Sequence, residues 1–227
     1  MIRFDGDFVI RSRGEAEAIL EECGFLPFFS NRVPGFSLEE HIDRRLWFTD
    51  EEGPWEWKGP IIRQTGCAYG KFFEHRAVYV SRRFFPDLAN FRRDGYDFDA
   101  RYDDGLASRG DRDLYELLSA AAPVLSKTLK EKAGYTRSGK SGFETRITRL
   151  QAQCYVLISD FVYETSRSGR TFGWGLAQYS TPEVFFGPSF RGEVYRREPE
   201  ESRERILDHL SRLLPYAGRA DLEKLIR

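Results

Sequence analysis

The chain has 227 residues, 41% hydrophobic and 15% aromatic, and its 35 basic and 36 acidic side chains leave a formal charge of -1. That composition excludes a disordered or strongly basic chain, and no apolar stretch approaches the roughly 20 residues that span a bilayer. Cys23, Cys67 and Cys154 are odd in number and fit no metal-binding spacing, so free thiols and a soluble cytoplasmic protein without a signal peptide or membrane association are expected.

In chain order, residues 14–23 predict a short helix stopped by Gly24. A loop rich in aromatics and proline follows. Ser37 and Glu40 have the spacing of a capping box, in which each side chain satisfies the other's free backbone donor, opening a brief helix to about Trp47. The proline-bounded run 53–60, GPWEWKGP, predicts a packed aromatic loop or short strand rather than a long helix. Its tryptophans, Trp55 and Trp57, are better suited to core than to stacking on a base, because aromatics at this density usually build core. Residues 67–73 and 77–81 flank Glu74-His75-Arg76 and predict a hairpin. Ser81 then caps a helix bent or ended at Pro86, and residues 92–105 predict a long polar surface loop.

The second half has clearer syntax. A helix over 111–121 starts at an Asp and carries Leu114, Leu117 and Leu118 on one face. Ser126 caps a second helix that stops at Gly134. Ser141-Gly142-Phe143-Glu144 reads as another capping box, opening a third helix over about 142–152. A strand over 154–164, a polar tip and a returning strand over 171–180 follow, and residues 199–214 predict an amphipathic terminal helix. Three short helices and then a hairpin is the order of a winged helix-turn-helix, whose third helix enters the major groove while the hairpin tip touches the backbone. The expected fold class is α+β: an N-terminal α+β region over 1–110 with short helices and a β-hairpin, a winged helix-turn-helix over 111–180, and a C-terminal extension over 181–227.

The near-zero net charge hides an asymmetry. Residues 1–115 hold 17 basic and 22 acidic side chains, whereas residues 127–170 hold nine basic and four acidic ones. Such a local excess attracts a polyanion even in a neutral chain. On the third helix, Phe143, Ile147, Leu150 and Cys154 form one apolar stripe, and Arg146, Arg149 and Gln153 share another face. Arg and Gln can pair with guanine and adenine edges. Lys140, and Arg167 and Arg170 at the hairpin tip, complete the expected DNA-contacting set, the tip arginines touching phosphates without reading sequence.

At the end of the third helix stands Leu150-Gln151-Ala152-Gln153. This triplet, the winged-helix frame and the stretch WEWKGPIIRQTGCAYGKFF together resemble the AlkZ/YcaQ-type family of winged-helix DNA glycosylases, and the whole chain is similar to its short AlkZ-related members. The resemblance implies DNA binding, a role in DNA repair, and Gln151 and Gln153 as the pair that excises N-alkylated purines. The chain is shorter than the full glycosylases and carries the triplet two-thirds of the way along. A neutral amide can stabilise an oxocarbenium-like state and hold a water, but it is too weak a base to serve any but labile, cationic leaving groups. Two glutamines at i and i+2 also occur by chance in many helices. The competing expectations are a non-catalytic winged-helix DNA-binding protein, regulatory or structural, and a protein–protein adaptor.

Other constellations carry less. Asp97, Asp99, Asp103 and Asp104 lack calcium-loop spacing and suit a solvated loop paired with Arg92, Arg93 or Arg101. His41, His75 and His209 are scattered, so neither metal nor cofactor is expected. Oligomeric state has no sequence signal.

Overall fold

A computed structural model of the chain describes residues 3–47, 52–136, 139–165 and 171–227. The first half runs α1 (Arg13–Cys23), β1 (Phe25–Pro27), α2 (Leu38–His41), a 3-10 turn at Arg44–Trp47, α3 (Pro54–Thr65), β2 (Ala68–Phe73), β3 (Arg76–Val80), α4 (Phe85–Arg93) and α5 (Phe98–Asp103). The second runs α6 (Arg109–Ala121), β4 (Val124–Leu125), α7 (Ser126–Lys132), α8 (Phe143–Ala152), β5 (Leu157–Thr165), β6 (Thr171–Ser180), α9 (Pro182–Phe186), α10 (Phe190–Val194), α11 (Pro199–Leu213) and α12 (Arg219–Leu225). The fold is mixed α and β. Among the described residues no helix is long and apolar enough to cross a membrane.

The six strands form one antiparallel sheet in the order β1-β3-β2-β5-β6-β4. The β2–β3 hairpin turns on Glu74 and His75, with φ of 48° and 60°, the double left-handed geometry that matches strand twist in a two-residue turn. The β5–β6 hairpin joins it through Tyr69 opposite Ile158. Both hairpins therefore contribute to one continuous surface. The buried apolar side chains on both sides form a single cluster, in which α3 packs on β5 and α11 on α4.

Several local expectations change. Residues 54–65 are helical. Pro54 sits in the first turn, where its missing N–H has no intrahelical partner to lose. Glu56 Oε2 accepts the Gly53 N–H at 3.0 Å, and burial of Trp57, Ile61 and Ile62 holds the helix despite Pro60 inside it. Tertiary packing overrides the proline penalty of about 3 kcal/mol. Pro86 sits in the first turn of α4 rather than ending a helix, for the same reason. The loop over 92–105 contains α5, whose N-cap Asp97 accepts from the Ala100 N–H at 2.9 Å. Half of the Ser37–Glu40 cap forms: the Glu40 N–H donates to Ser37 Oγ at 3.2 Å, but the Glu40 carboxylate accepts from the Ser37 hydroxyl and the Gly35 N–H instead of the Ser37 N–H, and the helix ends at His41. Ser141 does not cap α8. Gly142 takes that position with φ 86° and no side-chain bond, a left-handed entrance favouring glycine.

The aromatics build core. Trp57 is buried, while Trp55 packs on Phe28 and Trp47 with ring centres 5.4 Å away in each case.

Candidate functional site at the end of the third helix of the second half

Helix α8 buries Phe143, Ile147 and Leu150 along one stripe, as its spacing requires. It ends where the Gln153 N–H donates to the Arg149 carbonyl at 2.9 Å and the Tyr155 N–H reaches back to that of Leu150 at 3.0 Å. Cys154 between them has φ 60°. That left-handed turn at a residue with a Cβ costs about 1–2 kcal/mol, so neighbouring contacts must hold it.

Two adjacent arginines supply those contacts. Arg92 Nε donates to the Ala152 carbonyl at 2.6 Å, and its two Nη atoms reach the carbonyls of Ile226 at 3.2 Å and Phe72 at 3.3 Å. Arg93 Nη2 and Nε donate to the Cys154 carbonyl at 2.8 and 3.3 Å. The middle and the exit of the Gln-Ala-Gln segment are thus gripped from one side of the fold. Arg93 is 1% exposed and ion-paired with Glu183 at 2.7 Å. Burial acts to lower its pKa, but Glu183 and Tyr195 outweigh burial and raise it. Arg92 has no carboxylate within ion-pairing distance among the described residues, and burial draws its pKa down.

The two glutamines face different surroundings. Gln151 is fully buried; Nε2 donates to the Ile147 carbonyl at 3.2 Å, and Oε1 accepts the Lys71 N–H at 3.2 Å. The β2–β3 register shifts between Gly70 and Phe73, so the amide bonds β2 where its ladder is irregular. Gly70 permits that approach, since a Cβ there would lie 2.7 Å from the Phe72 ring and 3.2 Å from Gln151 Oε1. Gln153 is half-buried and lines an open hollow of about 370 Å³ with His75, Phe91, Arg92, Arg149 and Arg227. Three arginines and no Asp or Glu line the hollow, the Arg92 guanidinium bonded to backbone carbonyls and that of Arg149 paired with Asp111 outside it. The structure does not bring the two amides into one cavity.

The expected DNA-contacting residues fall into three groups. Arg149 Nη1 pairs with Asp111 Oδ2 at 2.7 Å, and Arg146 Nη1 with Asp111 Oδ1 at 3.4 Å. Asp111 is buried in the first turn of α6, where its N–H donates to Ser108 Oγ at 3.2 Å. One carboxylate thus tethers two cations while Arg149 still reaches the hollow. Lys140 is exposed, its Nζ 6.0 Å from the Tyr135 ring centre. Arg167 and Arg170 lie outside the described residues.

Arg92, Arg93 and Asp111 were not legible as members of this site. Arg92 and Arg93 read as surface partners of an acidic loop, and Asp111 as a helix start; only packing across the chain turns them inward. His41 and His209 are structural, their Nε2 atoms bonded to the carbonyls of Gly35 at 2.6 Å and Cys23 at 2.8 Å. Among the described residues no group of three or more His, Cys, Asp or Glu side chains is placed to hold a metal ion.

The arrangement can attract a phosphate-bearing strand and set one amide beside it. A family model described as "AlkZ related" matches residues 10–227. No curated protein and no solved structure matches the chain.

Proposed function

Because the chain belongs to the AlkZ-related family across residues 10–227, we propose that it is a DNA-binding, glycosylase-like protein that meets the duplex on the face carrying Gln153. The observation that carries this reading is the Gln153 hollow, walled by Arg92, Arg149 and Arg227 without a carboxylate side chain. Positive charge on a concave wall concentrates a polyanion there. The order α6, β4, α7, α8, β5, β6 supports a winged helix-turn-helix in which α8 is the recognition helix and the β5–β6 hairpin the wing. Lys140, Arg146, Arg149, Arg167 and Arg170 remain the proposed DNA contacts.

In the excision reading, an N3- or N7-alkylated purine leaves as a neutral base, taking the electrons of its glycosidic bond. The Gln153 carbonyl oxygen faces the developing sugar cation or holds the water that bonds to C1′, and the water's proton passes to solvent. Gln151 acts as a positioning residue, locking α8 to β2. A non-catalytic DNA-binding role is favoured by one observation: both ends of the Gln151 amide are already bonded inside the fold.

Single-turnover assays on methylated duplex distinguish the two. Excision by the wild type and a drop of about 10²–10³ in rate for Gln153→Ala, with DNA affinity nearly unchanged, supports catalysis. Duplex binding without base release supports the second reading, and absence of binding at low salt removes both.

A further inference from the structure

A second concentration of arginine lies away from the triplet and has no counterpart in any one stretch of sequence. Arg82 and Arg83 precede α4, Arg196 precedes α11, and Arg205 lies on α11; the four converge on an open cavity of about 510 Å³ that also includes Asp87 and Glu193. Helix α4 has nine residues and is about 14 Å long. This cavity is at its beginning, and the Gln153 hollow is reached from Arg92 at its end.

Both carboxylates of the cavity are already engaged. Glu193 accepts from Arg82 Nη2 at 2.6 Å, and the Arg82 guanidinium lies 4.7 Å over the Phe186 ring. Buried Asp87 accepts from Arg205 Nε at 3.1 Å and, through its other oxygen, from Arg197 Nη1 at 3.3 Å. These contacts orient Arg82 and Arg205 in advance, which reduces the ordering entropy of a later ligand. Arg83 and Arg196 are exposed and have no carboxylate within 4.0 Å among the described residues. Arg83 lies over its own neighbour's ring, 4.9 Å from the Phe84 centre. The excess charge is felt nearby: after burial, Arg83 and Arg212 also lower the pKa of His209.

We infer that this cavity is a phosphate site, in which Arg83 and Arg196 take the oxygens of one phosphoryl group between the pre-oriented Arg82 and Arg205. Guanidinium forks match phosphate oxygens in geometry and charge, and the two arginines without carboxylate partners supply the charge that Asp87 and Glu193 do not cancel. The phosphoryl group belongs either to a nucleic-acid backbone or to a free phosphate compound. The inference does not depend on the proposed excision chemistry.

The test titrates the full chain with inorganic phosphate and pyrophosphate by calorimetry, and with a 20-base-pair duplex across a salt series. Arg83→Ala/Arg196→Ala is the variant, with circular dichroism and thermal melting as the folding check and Arg83→Lys/Arg196→Lys as the charge-retaining control. Loss of pyrophosphate affinity by about tenfold or more, the equivalent of one charge-assisted hydrogen bond, with duplex binding unchanged, supports a free phosphate ligand. A duplex salt slope reduced by about one supports a backbone phosphate. Partial recovery in the lysine variant supports either, since it keeps charge and loses the fork. A wild type that binds none of the three probes overturns the inference, as does a folded alanine variant that binds all of them like wild type. Pyrophosphate binding that the alanine variant loses, in a protein that neither binds duplex nor releases bases, would uphold this site and remove the proposed function.

Discussion

Arg93 Nη2 lies 2.8 Å from the carbonyl oxygen of Cys154, the residue that leaves α8 in a left-handed turn directly after Gln153. A buried cation from α4 therefore fixes the backbone on which the candidate amide stands. Its other terminal nitrogen, Nη1, is paired with Glu183, so the grip couples α4 and α9 to the end of α8.

Arg93→Ala leaves Glu183 and the Cys154 carbonyl without their buried donor. Arg93 is buried but Glu183 is 34% exposed and partly rehydrates, so the cost falls below that of a fully buried pair, at about 2–3 kcal/mol. Urea unfolding should show a loss of that order, with a smaller one for Arg93→Lys, which keeps the charge but not the fork. A loss below about 1 kcal/mol for the alanine variant, within the range of exposed pairs, would contradict the described grip.

The two glutamines should separate cleanly. Gln151→Ala strands the part-buried Lys71 N–H and leaves a void where the buried amide lay, and should destabilise by about 1–3 kcal/mol. Gln153→Ala touches only the rim of α8 and should stay within about 0.5 kcal/mol of wild type. Thermal or urea unfolding of the two variants measures the difference, and equal losses would show that the amides share one environment.

Asp111→Ala releases Arg146 and Arg149 together. Stability should fall by about 1–2 kcal/mol, because the Ser108 hydroxyl loses its acceptor, Asp111 Oδ2 at 2.8 Å, while both arginines are exposed enough to rehydrate. Duplex affinity should rise, and its salt slope should steepen by as much as about two. Weaker binding would mean that the tether positions the arginines productively.

Lys58 carries a pH signature. Its ammonium lies 4.4 Å from the Phe161 ring centre and 5.1 Å from that of Trp55, and burial pushes its pKa down to about 8. An unfolded lysine holds its proton up to about 10.4. Between those values the unfolded chain binds more protons, so this group's contribution to stability rises with pH across that window. Burial pushes the thiols of Cys23, Cys67 and Cys154 up to about 12, and they act in the opposite direction above about pH 8.5. The comparison of Lys58→Met with wild type isolates the lysine: the wild type should gain on the variant from pH 8 to 10, and a constant difference would contradict the shift.

What the sequence revealed were the features whose causes are local. The alternating run from Thr171 to Ser180 became β6 with those bounds, and the apolar stripe of Phe143, Ile147 and Leu150 turned inward on α8. The hairpin around Glu74 and His75 followed from the two β-prone runs beside it. Features set by distant partners were not legible. The aromatic density around Trp57 marks it as core, but nothing near Pro60 announces that packing will hold a helix through that proline, and nothing near Gln151 announces that an irregular strand 80 residues earlier needs an acceptor. The triplet was visible as a pattern, but the opposite environments of its amides arise from β2 on one side and from Arg92 and Arg149 on the other.

The pairing of Tyr69 with Ile158 bears on how the chain can be cut. Excising residues 111–180 would strip β2 from β5 at that pair and extend the open backbone edge of β5, which would stay paired only with β6. Such an edge is a template for strand addition between molecules. The fragment would then tend toward self-association, and low solubility would report the exposed edge rather than any failure of its helices.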